Sequence, residues 1–103
     1  MRVKANYVEM NEIGTYVFQK SEELEKNLKE SLELINSINS CWDGIDADNF
    51  IFNSSTYINN MGITVNELKN ISNLIKNIAR RYEHKDLLFE SEIKKEGLYD
   101  EKY

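Results

Sequence analysis

Three aspartates near the middle of the chain come closest to the spacing of a metal site. Asp43, Asp46 and Asp48 stand close together in sequence, and carboxylates are the ligands that Ca²⁺ prefers. If Asp46 is the first position of an EF-hand loop, Tyr57 falls at the twelfth position, where that loop needs a glutamate. We therefore predict no metal site and no cofactor, and we interpret the aspartates as turn and helix-capping residues.

The chain has one cysteine, Cys41, and one histidine, His84. A single cysteine cannot form an internal disulfide, and the two residues together are too few for a Cys/His zinc site. No nucleophile stands in a catalytic pattern with His84, so the sequence predicts a protein without enzymatic activity. Cys41 is predicted to be a small apolar side chain in the last turn of a helix, and its oxidation in an intermolecular disulfide stays open.

The composition disfavours several further classes of protein. The chain has 103 residues, of which 41% are hydrophobic and 30% charged, as expected for one folded domain. Its 13 basic and 18 acidic side chains give a net charge of −5, which disfavours nucleic acid and anionic membranes as partners. No run of about 18 apolar residues is present, and no apolar stretch follows the basic start. We therefore expect neither stable membrane insertion nor a cleaved signal peptide.

Long helices are predicted because the chain has no proline and carries two uncharged periodic series. In segments 10–42 and 50–82, every position of a series spaced by three and four residues is uncharged. This spacing predicts two helices packed side by side. The predicted seam of the hairpin and of its dimer consists of Val17, Leu24, Leu28, Ile35, Ile38, Tyr57, Met61, Leu68, Ile71, Ile75 and Ile78. The small residues of the same series, which would let the backbones approach closely, are Gly14, Ser21, Ser31, Ser54 and Thr64.

A turn is predicted between the two series. Gly44 can adopt the left-handed conformation that ends a helix. Asp46 is then a favourable N-cap for the next helix, and Asp48 stands in its first turn. Because the connection is short, the two helices must run antiparallel as neighbours.

The predicted helices cover about 6–42 and 46–89, with the turn at about 43–45. Together they form a single domain of residues 1–89. Residues 90–103 are rich in charge and are predicted to form a flexible tail.

The fold class predicted is all-α, an antiparallel helical hairpin that pairs into a four-helix bundle dimer. A hairpin has one seam, whereas Tyr16 and Leu34 on helix 1, and Ile58 and Val65 on helix 2, widen the apolar stripes beyond it. A second hairpin would cover that area. The weak point of helix 2 is the stretch with Asn59, Asn60 and Gly62, where we expect a kink or a frayed turn.

The turn residues resemble those of the WXG-motif family, the small early-secreted-antigen-like proteins that bacteria export by type VII secretion systems. The motif stands as Trp42, Asp43 and Gly44 in the middle of the chain, between the two predicted helices. An aromatic residue, Phe50, follows the tryptophan by eight positions, as is common in the family. The length also matches, and the resemblance covers about 6–89.

A second feature is similar to the family's export signal. Tyr82 is followed four residues later by Asp86, near the end of helix 2. One helical turn separates the two, so they share a face. The resemblance implies that this pair is recognised by the secretion-system ATPase, and that the turn of one protomer lies beside the signal of its partner.

The resemblance therefore implies a small secreted protein that is exported as a folded helical dimer, as an effector or a system component. It would be cytoplasmic before export, and its partner would be a second copy or a homologous helical hairpin. One alternative is an escort that presents the export signal for a larger toxin. An alternative of another class is a cytoplasmic coiled-coil adaptor, in which Tyr82 and Asp86 matter only for packing.

Overall fold

The computed structural model describes residues 6–96, which form two long antiparallel helices joined by a short turn. Helix α1 spans Tyr7–Asn36 and is followed by a 3-10 turn at Ser37–Ser40, and helix α2 spans Ile45–Glu96. No strand is present within 6–96. The prediction of an all-α helical hairpin is confirmed.

The ends of the helices differ from the predicted ones. Helix α1 begins where the Asn6 side chain accepts a hydrogen bond from the Glu9 backbone N–H at 3.0 Å. Its regular part stops at Asn36, because the chain tightens into the 3-10 turn before residue 42 is reached. Helix α2 passes Gly62 without the expected interruption.

The charged segment predicted as a flexible tail is helical as far as Glu96. Its residues are mostly good helix formers, and Glu90 and Lys94 have the i,i+4 spacing that supports a helix. A solvated helix tolerates this charge density, so α2 is longer than predicted, while the flexibility of the segment stays a prediction. The rest of the predicted tail, 97–103, lies outside the described residues.

At two of the six seam positions predicted on α2, the following residue lies in the seam instead. Val65, Ser72 and Ala79 are buried, whereas Tyr57 and Ile71 are 67% and 48% exposed. Tyr57 and Ile71 are thus not part of the seam within the hairpin. The reason is that smaller side chains at 72 and 79 let α1 approach closely, which places the larger neighbours on the flank.

The other members of the predicted seam are half-buried between the helices. They are Val17, Leu24, Leu28, Ile35, Ile38, Met61, Leu68, Ile75 and Ile78. Ile58 and Val65, which were predicted to flank the stripe, instead lie in the seam themselves.

The two helices approach most closely where Gly14 faces Ser72. The buried Ser72 hydroxyl donates to the Gly14 carbonyl oxygen at 2.5 Å. A Cβ atom on Gly14 would lie 2.9 Å from Lys76 Cγ and 3.2 Å from the Ser72 carbonyl oxygen. Only a glycine therefore fits at this crossing without movement of α2.

The hairpin is long and thin. Its extents are 80 × 18 × 14 Å and its radius of gyration is 23.9 Å, against about 13 Å for a compact chain of this length. Within 6–96, no helix has the length and apolar character needed to cross a membrane.

Helix α2 extends past the start of α1. Gly14 is level with Ser72, where the helices cross, and the two helices run in opposite directions. Tyr7, seven residues before Gly14, is therefore level with about residue 79 of α2. From Tyr82 to Glu96, α2 therefore continues for roughly another 20 Å beyond this level. Exposed apolar side chains follow on this extension: Leu87, Leu88 and Phe89.

Candidate functional site

The turn between the helices depends on Gly44. Its φ is +109°, a conformation that side chains other than glycine's disfavour. A Cβ atom there would meet nothing within 4 Å. The glycine of the motif is therefore required by backbone conformation and not by crowding, as the sequence predicted for this position.

Trp42 joins the end of α1 to the start of α2. Its backbone N–H donates to the Ile38 carbonyl oxygen at 2.8 Å. Its ring centroid lies 5.8 Å from that of Phe50, with the two planes tilted by 48°, a favourable arrangement for aromatic rings. The two rings remain 42% and 44% exposed, so they form an apolar surface at the turn end of the hairpin.

The aspartates of the turn take the capping roles predicted for them, with one shift. Helix α2 begins one residue earlier than predicted, and the Gly44 carbonyl accepts from the Asp48 N–H at 3.0 Å. Asp46 is thus in the first turn together with Asp48, and is not the N-cap residue. Both carboxylates are stabilised by the positive end of the helix dipole. Asp43 accepts a hydrogen bond from the Gly44 N–H at 2.9 Å.

Among residues 6–96, no group of three or more His, Cys, Asp or Glu side chains is placed to hold a metal ion.

Cys41 is exposed, and its thiol lies 3.5 Å from the Ile38 carbonyl oxygen. It therefore lies after the last helical turn of α1 and is not packed as a small apolar residue. His84 is exposed on α2.

Tyr82 and Asp86 lie one turn apart on the side of α2 that carries the seam, and both are half-buried. Tyr82 lies near the level at which α1 begins. A shallow groove of about 150 Å³ runs beside it, lined by Ile78, Arg81, Tyr82 and Lys85. An aromatic ring and a carboxylate are thus presented on one helix face, next to basic side chains.

The structure does not bring the turn motif and the Tyr82–Asp86 pair together in one chain. They are separated by most of the length of α2, about 57 Å from Gly44 to Tyr82 at the rise of a straight helix. Any surface that combines them needs a second molecule.

Sequence reasoning missed a second groove, which opens between the helices at Gly62. Its volume is about 360 Å³, and its apolar lining includes Leu28, Leu32, Ile58 and Ile63. A Cβ atom on Gly62 would meet nothing within 4 Å, so the missing side chain contributes to the opening. A glycine inside a helical pattern was the signal, but it was interpreted as a kink.

The same side of the hairpin carries a cluster of charges around Phe18. Lys69 Nζ lies 3.1 Å from Glu25 Oε2, which links the two helices. The Nζ atoms of Lys69 and Lys76 lie 5.9 and 5.8 Å from the centre of the Phe18 ring. These contacts cover Phe18 with the lysine side chains.

Comparisons with protein-family models, with curated proteins and with solved structures find no match for this chain.

Proposed function

We propose that this chain is a small non-enzymatic protein exported by a bacterial type VII secretion system as a folded helical dimer. The observation that supports this most directly is the placement of two features on the hairpin. A tryptophan–glycine turn closes one end, and a tyrosine–carboxylate pair lies on one face of α2 near the other end. The resemblance to the WXG-motif family rests on these two features, and their separation along the hairpin supports the proposal.

In this proposal, the export signal is the face that carries Tyr82 and Asp86. An aromatic ring and a carboxylate one turn apart suit a groove with one apolar pocket and one basic group. The secretion-system ATPase would supply that groove. Pairing with a second hairpin would bring the exposed Trp42–Phe50 surface of one chain towards the signal of the other, across the distance that separates them in one chain.

A second candidate function is that of an escort, which pairs with the helical N-terminal region of a larger toxin and presents the signal on its behalf. Exposed apolar side chains along the hairpin support pairing of either kind, since they include Tyr16, Leu34, Tyr57 and Ile71. The half-buried position of Tyr82 favours a third candidate, a cytoplasmic adaptor in which this residue only packs.

Export of a tagged chain from a bacterium with a working type VII system tests the proposal. The decisive variant is Asp86→Asn, which keeps the shape of the side chain and removes its charge. The matched control is Glu83→Gln, which removes one charge from an exposed carboxylate in the same part of α2. Circular dichroism and solution mass establish that each variant remains folded and keeps the oligomeric state of the wild type.

We expect the wild type and Glu83→Gln in the culture supernatant and Asp86→Asn in the cell pellet. Equal export of all three chains would mean that Asp86 is not part of the signal. Retention of all three would be followed by co-expression with the large protein encoded by the neighbouring open reading frame. Export restored by that protein would favour the escort function, and continued retention would favour the adaptor.

A further inference from the structure

One side of α2 is unusually apolar for a helix surface that faces solvent. Four large hydrophobic side chains lie along it, and each is between 55% and 78% exposed. Their spacings of 7, 11 and 11 residues return to one side of an α-helix within about 20°. We name this surface the outer strip and define it by these four residues: Ile45, Phe52, Ile63 and Leu74.

The outer strip lies on the side of α2 directly opposite α1. The buried residues Ala47 and Val65 follow Ile45 and Ile63 by two positions, and two residues turn an α-helix by about 200°. In a four-helix bundle each helix packs against two adjacent neighbours. The side of α2 that faces away from α1 would therefore stay exposed when two hairpins pair, so such pairing does not account for the strip.

The polar residues around the outer strip are mostly uncharged. Residues 45–74 contain four charged side chains and seven asparagines, whereas α1, of the same length, contains ten charged side chains and three asparagines. Asparagine is a poorer helix former than glutamate or lysine, so helix stability does not explain the difference. Depletion of charge around exposed apolar side chains is typical of the centre of a protein interface.

The few charges near the strip are acidic at the turn end. The chain has no lysine or arginine between Lys29 and Lys69, and Asp46 and Asp48 stand in the first turn of α2 beside Ile45. A complementary partner is therefore uncharged along most of the strip and basic at the end that meets the turn. The same aspartates disfavour an anionic lipid surface, which attracts basic segments.

The groove at Gly62 adjoins the middle of the strip, because Ile63, Asn59 and Asn66 contribute to its lining. Its volume of about 360 Å³ has room for a large side chain, and a Cβ atom on Gly62 would meet nothing within 4 Å. Buried anchor side chains of this kind contribute most of the binding energy at protein interfaces. A partner can thus fill the space that the packing of the hairpin leaves open.

The dimensions of the strip suit one helix. It runs for about 43 Å from Ile45 to Leu74, and a helix is roughly 10 Å across. The footprint of about 430 Å² on each partner gives a total below the roughly 1,200 Å² at which stable interfaces begin. The contact is therefore of the transient class.

We propose that the outer strip binds one amphipathic helix of a different protein. That helix has an apolar stripe bordered by uncharged amide or hydroxyl side chains, and one large apolar side chain that enters the groove at Gly62. Its basic end lies at Asp46 and Asp48. The contact is separate from hairpin pairing and from the face that carries Tyr82 and Asp86, so it goes beyond the proposed function.

The first test measures binding of a synthetic helix to the full chain by fluorescence anisotropy. The peptide has about 28 residues to match the strip, with leucines along one stripe, glutamines beside them and two lysines in the last turn. A second peptide keeps the leucines and has glutamates in place of the glutamines and lysines. We expect the glutamine peptide to bind about tenfold more tightly, because the glutamates would meet Asp46 and Asp48.

The decisive variant is Phe52→Ser, which should weaken binding of the glutamine peptide about tenfold because it removes a large apolar contact. The matched control is Tyr57→Ser. Tyr57 is 67% exposed against 68% for Phe52, but it lies five residues on, about 140° around the helix, and its replacement should leave the affinity unchanged. Circular dichroism establishes that both variants remain helical.

The variant that tests the groove is Gly62→Leu. The added side chain would occupy the groove and should weaken binding about tenfold, although leucine is the better helix former and favours the fold. A loss of affinity in this variant therefore cannot come from unfolding. Its control is Asn60→Leu, which adds the same side chain at an exposed position of α2 and should not weaken binding.

The inference would be overturned by absence of saturable binding of the glutamine peptide below about 1 mM, or by equal affinity for the two peptides. A loss of binding in Tyr57→Ser but not in Phe52→Ser would also overturn it, as would unchanged binding in Gly62→Leu.

Two other occupants of the strip are distinguished by the same variant. Binding to phosphatidylcholine vesicles that Phe52→Ser abolishes, without binding of the glutamine peptide, would assign the strip to a lipid surface. Self-association in light scattering that Phe52→Ser abolishes would assign it to a second copy. Either result would overturn the inference and leave the proposed export untouched. Retention of a chain that still binds the peptide would contradict the proposed function alone.

Discussion

Two glycines inside the helices mark two halves of the hairpin that pack differently. At Gly14 the backbones are so close that a Cβ atom would lie 2.9 Å from Lys76 Cγ. At Gly62 the same atom would meet nothing within 4 Å, and a groove opens beside it. The comparison shows that a glycine inside a helix is not always there to allow close packing of two helices. Close contact with the other helix requires a glycine at position 14. At position 62 the hairpin has room for a side chain, so its packing does not require a glycine there.

The largest expected effect comes from filling the close crossing. Gly14→Leu should lower the free energy of unfolding by about 3 kcal/mol, because overpacking forces the helices apart. Urea unfolding followed by circular dichroism measures it. The control, Gly62→Leu, points into open space and should raise the free energy of unfolding by about 0.6 kcal/mol, because leucine is a better helix former than glycine. Equal losses at the two positions would remove the distinction between the two halves.

A smaller effect is expected from the hydrogen bond at the same crossing. Ser72→Ala removes the hydroxyl that donates to the Gly14 carbonyl at 2.5 Å, and should cost about 1 kcal/mol. Ser55→Ala is the comparison in the open half, since the Ser55 hydroxyl donates only to the Phe52 carbonyl of its own helix. Its removal should leave stability nearly unchanged. The same unfolding experiment separates the two variants.

The smallest expected effect has the opposite sign. Gly62→Ala should raise the free energy of unfolding by about 0.8 kcal/mol, because alanine is the better helix former and no atom opposes its Cβ. Gly14→Ala makes the same replacement where Lys76 Cγ and the Ser72 carbonyl lie within 3.2 Å, and should lower stability. If both variants gained stability, the crossing would be looser than its geometry indicates.

The hairpin itself was predictable from the sequence because its causes are local. The absence of proline, the uncharged series and the turn at Gly44 each favour the same architecture. The register of α2 was not predictable in the same way. Three neighbouring positions of each heptad are uncharged there, so periodicity alone could not decide whether Ile71 or Ser72 faces α1. Packing against Gly14 made that choice.

The candidate site shows the same division. The conformation of Gly44 and the capping of α2 follow from residue types, and the sequence predicted them apart from a one-residue shift at Asp46. The tilted contact of Trp42 with Phe50 depends on how the 3-10 turn directs the chain, which no spacing rule specifies. The groove at Gly62 depends on what lies opposite the glycine, and so it also required the fold.

The thin shape of the hairpin gives its association an unusual signature in X-ray scattering. When a compact protein doubles its mass, its radius of gyration grows by about 30%. Two hairpins packed side by side, as in the dimer of the proposed function, add thickness across the long axis and little length along it. Their radius of gyration would exceed the 23.9 Å of one hairpin by only about 0.5 Å for layers packed about 10 Å apart. Forward scattering per chain would double while the Guinier slope barely changed.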